Sequence, residues 1–329
     1  MGQRFEVCNG DADGLCAAVQ WRLHLQTPAT LVTGLKREIA LLERVQARAG
    51  DEVDVFDLSM QRNRPALLGL LDAGVRVRYF DHHAVQGIPT HPLLDAQIDC
   101  ASDTCTSLLV DRRLGGALRA WALVGAYGDN LRRVADALAA ESGIAAGDAA
   151  RLRRLGEAIN YNAYGDDESD VHVTAARLHT ILVRYRDPLE LLAREDIADE
   201  IDALRRADLE RAFAVPPHWQ DAQASVHLLP DAPWSRRVLG CLANELANAQ
   251  PGHAHAVLKL QRSGGYAVSV RAPLAAPTGA DALCRHFGGD GRARAAGIDA
   301  LAETDLTRFV AAFASARWGE PGPGRVEGR

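Results

Sequence analysis

Lysine is nearly absent from this chain of 329 residues. Of its 37 basic residues only Lys36 and Lys259 are lysines, and the rest are arginines. With a net charge of −6 and no basic tail or block, the sequence lacks the dense positive stripe that tracks a long phosphate backbone, which disfavours long nucleic acid as a partner. Aromatic residues make up 5%, too few for an extended base-stacking platform. No apolar run reaches the roughly 18 residues that a membrane span needs, so no membrane partner is expected. The first strand begins almost at Met1 and leaves no room for a signal peptide, making a cytoplasmic location the default expectation. The six cysteines (Cys8, Cys16, Cys100, Cys105, Cys241, Cys284) show no Cys-x-x-Cys spacing. That argues against a zinc knuckle or a disulfide framework and for buried thiols.

What the sequence does carry is a set of strands that end in acids. Phe5, Val7 and Cys8 lead into Asn9-Gly10-Asp11-Ala12-Asp13-Gly14, and Val53, Val55 and Phe56 lead into Asp57. Val75, Val77 and Tyr79 alternate with Arg76, Arg78 and Phe80, a period-two strand pattern that runs straight into Asp81-His82-His83. In a parallel α/β sheet the ligand crevice lies beyond the carboxyl ends of the strands, where acids from several ends converge. Asp11 and Asp13, two apart across a glycine-bearing turn, cannot both be buried without a cation. The convergence predicts a metal site.

Together with Asp129 in Gly125-Ala126-Tyr127-Gly128-Asp129, these segments resemble the four N-terminal motifs of the DHH phosphoesterase family. The resemblance implies an α/β fold, with an N-terminal parallel-sheet domain and flanking helices, a connector helix and a smaller C-terminal α/β domain. It implies two ions, Mn2+ or Mg2+, one served by Asp11 and Asp57 and the other by Asp13, Asp57, His82 and Asp129. Oxygen-rich ligands with one imidazole fit such hard ions better than a thiolate metal. His83 would contact the substrate phosphate and Asp81 would orient an imidazole. The implied activity is hydrolysis of phosphoester bonds in short oligonucleotides or small nucleotides. A single-strand exonuclease of RecJ type and a non-catalytic nucleotide-binding protein remain as alternatives.

Two positions depart from the family pattern. Val7 stands where many members carry a histidine, and Asn9 where exonuclease-type members carry an aspartate. Valine cannot ligate and a neutral carboxamide binds far more weakly than a carboxylate. The first metal site is therefore expected to be weakened, with Asn9 as a poor ligand or with filling only when substrate is present.

In chain order, helices are expected over Leu15 to Leu25, Glu38 to Ala49 and Arg64 to Leu71, with a short strand over Ala29 to Gly34. The segment Cys100 to Ser107 reads either as a plain cap on a helix beginning near Thr104 or as a Ser/Thr-rich lining of the cleft. Residues 131 to 158 are helical, and Asn160 to Glu168 reads as an exposed polar loop or as a lining of the site. Asp187-Pro188 opens a helix expected to continue to about Ala212, where Val215-Pro216-Pro217 stops it. The expected domains are residues 1–186, a connector over 187–215, and 216–329.

The second domain is expected to hold strands over Val226 to Leu229, Ala254 to Leu260 and Tyr266 to Arg271, the last two joined through Ser263-Gly264-Gly265. Helices are expected over Ser235 to Asn248 and Ala280 to Phe287. Gly288-Gly289-Asp290-Gly291-Arg292 follows. Its order after Ser269-x-Arg271 resembles the C-terminal domain that accompanies many DHH phosphoesterases. That resemblance implies substrate binding by Arg271, Gly288 and Gly289 from across a cleft between the domains, with Arg292 or Arg294 supplying the charge of a missing loop histidine. Oligomeric state, a homodimer included, is not encoded legibly.

Overall fold

The computed structural model describes residues 2–262 and 264–319. The chain divides into two compact units between Leu204 and Arg205.

The first unit is built on a five-stranded parallel sheet of β1 (Arg4–Cys8), β2 (Thr30–Val32), β3 (Glu52–Phe56), β4 (Arg76–Asp81) and β5 (Leu94–Ile98), in the order β2-β1-β3-β4-β5. The connections are α1 (Ala12–Leu25) after β1, a short 3₁₀ turn at Leu41–Arg44 after β2, and α2 (Met60–Asp72) after β3. The alternation in the strands sends Phe5, Val7, Val53, Val55, Val77 and Tyr79 into one apolar cluster with Leu67, Leu70 and Leu71 of α2. On the other face Phe56 and Phe80 stack at 5.7 Å, and Trp21 of α1 lies 5.2 Å from Phe80. A sheet buried on both faces is what a parallel sheet requires.

The register decides where the site lies. Cys8, Phe56 and Phe80 are partners on one rung. The Asn9 N–H then donates to the Phe56 carbonyl at 3.2 Å and the Asp57 N–H to the Phe80 carbonyl at 3.0 Å. The three acid-bearing turns thus leave adjacent strands at the same level.

The remainder of this unit is helical: α3 (Thr106–Arg113), α4 (Arg119–Gly128), α5 (Arg132–Glu141), α6 (Ala146–Asn162), α7 (Ala175–Leu182), α8 (Pro188–Arg194) and α9 (Ile197–Phe213), the last running past the division between units. Glycines allow close crossings here. A Cβ on Gly128 would strike Ala12 of α1, and one on Gly156 would strike the Val124 carbonyl of α4.

Several expectations are corrected. Glu38 to Ala49 is not a helix. Its backbone is held instead by the buried Asn63 side chain, which accepts from the Leu42 N–H at 3.3 Å and donates to the Ile39 carbonyl at 2.9 Å. The helix from Asp187 breaks at Glu195, whose extended backbone keeps its carboxylate on Arg184 at 2.6 Å and on the Tyr185 hydroxyl at 2.5 Å. Strand β5 was not expected, since Leu94, Ala96 and Ile98 give a weak, half-buried alternation.

The second unit is a mixed sheet in the order β10-β11-β9-β8-β7-β6. Its elements are β6 (Trp219–Gln220), β7 (Ala224–Leu229), α10 (Pro233–Ala249), β8 (Ala254–Leu260), β9 (Tyr266–Arg271), α11 (Ala280–His286), β10 (Asp290–Arg292), β11 (Ala295–Leu301) and α12 (Leu306–Ala314). Phe309 and Phe313 of α12 pack with Val226, Leu258, Val270 and Ile298 in its core. Of the expected hairpin turn, Ser263 lies outside the described residues. Among the described residues no helix is long and apolar enough to cross a membrane.

Candidate metal centre

Asp57 sits one residue past β3 with a left-handed backbone, φ 57°. That conformation is costly for most residues and persists where the surroundings enforce it. Here the Asp57 N–H is tied to β4 and the side chain is buried, with Oδ1 3.2 Å from His82 Nε2 and accepting from the Thr106 hydroxyl at 3.3 Å. Burial first, and then the charges of Asp11 and Asp13, push this carboxyl well above its ordinary range. It ionises at low cost only if a cation is near.

His82 has one defined tautomer. Its Nδ1 faces the Thr104 carbonyl at 3.0 Å. A carbonyl oxygen only accepts, so Nδ1 carries a proton, and the neutral ring would present a lone pair at Nε2. That lone pair meets Asp57 Oδ1 at 3.2 Å and Asp13 Oδ2 at 3.8 Å. Acceptors this close repel unless a proton or a cation lies among them. Adjacent ligands on an octahedral ion with bonds of about 2.1 Å are about 3 Å apart, so the donor set fits a hard divalent ion.

Asp13 is fixed from outside its own segment. Its two oxygens accept the N–H groups of Thr106 and Ser107, both at 2.7 Å, at the start of α3. The free N-terminal donors of that helix are satisfied by a carboxylate from α1. The Cys100 to Ser107 segment therefore serves both as a helix start and as a site lining. Asp81, fully buried, collects the N–H groups of His82 at 2.8 Å and His83 at 3.2 Å on Oδ1, and His83 Nδ1 at 2.6 Å. Burial lowers the His83 pKa, but the Asp81 charge and hydrogen bond outweigh it and leave it raised.

Among the described residues, Asp57, His82 and His83 offer donor atoms within 4.8 Å of one another. Asp11 lies outside this trio, although its charge acts on Asp57. It caps α1 by accepting the Gly14 N–H at 3.0 Å, and its Oδ2 is paired with Lys36 Nζ. Burial acts to raise the Asp11 carboxyl, yet Lys36 and the Gly14 N–H hold it below the ordinary range. Asp129 follows α4, and its charge acts on Asp11 and Lys36. Asn9 is turned inward: Oδ1 accepts the Asp11 N–H at 3.1 Å and Nδ2 donates to the Lys36 carbonyl at 3.2 Å. Val7 is fully buried in the apolar cluster.

Thr104, Thr106, Ser107 and Asn160 come from the two segments read as possible linings, and Lys36 is the residue the sequence did not single out for the site. Asn160, Tyr161 and Asn162 close α6 and are buried, while residues 163–167 form a buried to half-buried loop after it.

The residues expected to bind substrate from the second unit have local partners. Arg271 donates from Nε to Asn244 Oδ1 at 2.8 Å and from Nη1 to Ser269 Oγ at 2.9 Å. Arg292 is half-buried in β10. The N–H groups of Gly288 and Gly289 donate to the carbonyls of Arg285 at 3.1 Å and Cys284 at 2.8 Å. With Gly288 at φ 77° this is a Schellman closure of α11, so those two N–H groups are engaged rather than offered to a phosphate.

No protein-family model and no curated protein matches the sequence. Solved structures do match. The exonuclease RecJ bound to manganese is 22% identical, with a TM-score of 0.57 over 94% of this chain and 89% of that chain. RecJ from Thermus thermophilus in complex with Mn2+ is 22% identical, with a TM-score of 0.60 over 94% of this chain and 51% of that one. The pGpG-specific phosphodiesterase PggH from Vibrio cholerae is 14% identical, with a TM-score of 0.53 over 94% and 97%. Likeness of this extent at such low identity establishes architecture, and the chain shares the α/β fold of RecJ and PggH.

Proposed function

We propose that this chain is a divalent-metal-dependent phosphoesterase that hydrolyses phosphoester bonds of short oligonucleotides or small nucleotides, with Mn2+ or Mg2+ as its ion. One observation carries the reading: His82 Nε2, on a ring held at Nδ1 by the Thr104 carbonyl, faces the buried carboxylates of Asp57 and Asp13 at 3.2 and 3.8 Å. Asp13, Asp57 and His82 are the proposed ligands, with Asp129 completing the set. Bound there, a divalent ion lowers the pKa of a water to make a nucleophile and neutralises phosphoryl oxygens.

The chain's own residues supply the rest. Asp81 holds His83 by Nδ1, and the His83 side chain is 34% exposed, which leaves its Nε2 edge for a substrate oxygen. The pairing favours the imidazolium, which adds positive charge where the phosphate binds. RecJ and PggH act, by their names, as an exonuclease and as a pGpG-specific phosphodiesterase, and both share this fold.

The test is Mn2+-dependent hydrolysis of a linear dinucleotide by the wild-type chain and by Asp57→Asn. Asparagine tolerates the left-handed backbone at this position, so the variant is expected to fold. Wild-type turnover should require Mn2+, and Asp57→Asn should lose at least about 100-fold, with weakened Mn2+ binding, because a direct ligand matters more than the outer partners worth 10–100-fold. Undiminished hydrolysis by Asp57→Asn would discard the site. Mn2+ and dinucleotide binding without turnover would favour the non-catalytic binding protein.

A further inference from the structure

Asp11 exerts the largest single charge effect on the Asp57 carboxyl, and a side chain already stands at its own carboxylate. Lys36 Nζ pairs with Asp11 Oδ2, lies 3.3 Å from Asn160 Oδ1, and sits 5.6 Å from the centroid of the Tyr164 ring. The charge of Asp129 acts on it as well. A carboxylate, an amide oxygen and an aromatic face surround one ammonium, much as ligands surround a cation.

The backbone of Lys36 is held in place for this. Its N–H donates to the Ala163 carbonyl at 3.0 Å, and its carbonyl accepts from Asn9 Nδ2 at 3.2 Å. Asn9 meanwhile accepts the Asp11 N–H, so one carboxamide spans Asp11 and Lys36. An aspartate at position 9 would lack the Nδ2 donor and would add a negative charge beside Asp11. The asparagine that makes a poor metal ligand is thus a good holder for the lysine.

Composition sharpens the point. The chain holds 2 lysines among 37 basic residues, and one of the two is here. A guanidinium is planar and spreads its charge over a fork, whereas an ammonium is a compact point charge of the kind that can stand in for a small cation. The Lys36 side chain is 31% exposed, so it is open to an incoming anion.

We propose that the Lys36 ammonium fills the cation position beside Asp11, so that the chain binds a single divalent ion, on Asp13, Asp57, His82 and Asp129, and presents Lys36 as the second positive charge toward the substrate phosphate. This rests on the phosphoesterase reading above and departs from the two ions that the family resemblance implies.

The experiment is titration calorimetry of Mn2+ into the full chain, read as ions per chain, for wild type, Asp11→Asn and Lys36→Met. Wild type should bind one ion. Asp11→Asn, which keeps a capping side chain for α1, should still bind one, because Asp11 holds the lysine and not the metal. Lys36→Met, which keeps length and removes charge, should bind a second, weaker ion. Two ions in wild type, loss of an ion in Asp11→Asn, or a count still at one in folded Lys36→Met would each overturn the proposal. If circular dichroism shows Lys36→Met unfolded, the wild-type and Asp11→Asn counts decide. No ion bound by any of the three would instead overturn the metal reading of the whole site, a result distinct from a wrong count.

Discussion

His179 shows what a single buried imidazole does to this protein away from the proposed metal site. It lies in α7 with 3% exposure, its Nε2 makes no hydrogen bond, and Glu6 Oε2 is 4.0 Å away. Burial first, and then the charge of Arg22, depress its pKa to about 4. The native state therefore keeps His179 neutral where the unfolded chain, with a histidine pKa of about 6.5, takes up a proton. Its contribution to stability is complete above about pH 6.5 and is lost as pH falls toward 4. Between pH 8 and pH 5 the loss should be about 2 kcal/mol. Glu6, whose carboxyl is raised by burial, acts in the opposite sense in wild type and variant alike. Urea midpoints at pH 8 and pH 5 should fall in wild type and fall distinctly less in His179→Leu; equal falls would show that another group titrates. At this scale the sequence was informative where chemistry is local. Asp57 and His82 are legible because each follows a strand directly. Lys36 lies 25 residues from Asp11 and 124 from Asn160, and no spacing rule joins them. The scarcity of lysine was the one available signal.

Helix crossings govern where Asp129 lies, and here glycine sets the distance. A Cβ on Gly156 of α6 would strike the Val124 carbonyl and come within 2.9 Å of the Gly128 N atom, both on α4. Gly147, in the same helix, has nothing within 4 Å of its Cβ position. Alanine favours a helix over glycine by about 1 kcal/mol, while overpacking costs about 1–3 kcal/mol. Gly147→Ala should be neutral or slightly stabilising, and Gly156→Ala should destabilise and weaken Mn2+ binding by displacing the end of α4. Thermal melts and Mn2+ titrations on the two variants check this, and equal melts would remove the close crossing as a determinant. Elements were readable from periodicity where the pattern and the packing agree, as in α1, β3 and β4. They were misread where a side chain overrides the pattern. The apolar spacing of Glu38 to Ala49 suits a helix, but Asn63, more than a dozen residues on, takes its backbone groups. The continuous apolar pattern after Asp187 concealed a break that Arg184 and Tyr185 hold open at Glu195.

For the molecule as a whole, charge decides which substrates it can hold. The net charge is −6, and many of the arginines are committed to acids: Arg4 and Arg78 to Asp54, Arg22 to Glu6, Arg119 to Asp111, Arg237 to Asp208. A polymer gains affinity by releasing counterions from each phosphate that it pairs, with log K falling by about 0.7 per phosphate for single strands as log salt rises. In the proposed site, Lys36 and His83 are the positive side chains beside the ion, enough to neutralise one or two phosphates. The Mn2+-dependent rate on a dinucleotide should therefore exceed that on a 20-residue single strand at equal ester concentration. The dependence of log KM on log salt should be shallow, with a slope no steeper than about 1.5. A rate that grows with strand length, together with a steep salt dependence, would mean that several phosphates are held at once, and would turn the reading toward a processive exonuclease. Acidic net charge, paired arginines and one conspicuous ammonium favour the shorter substrate.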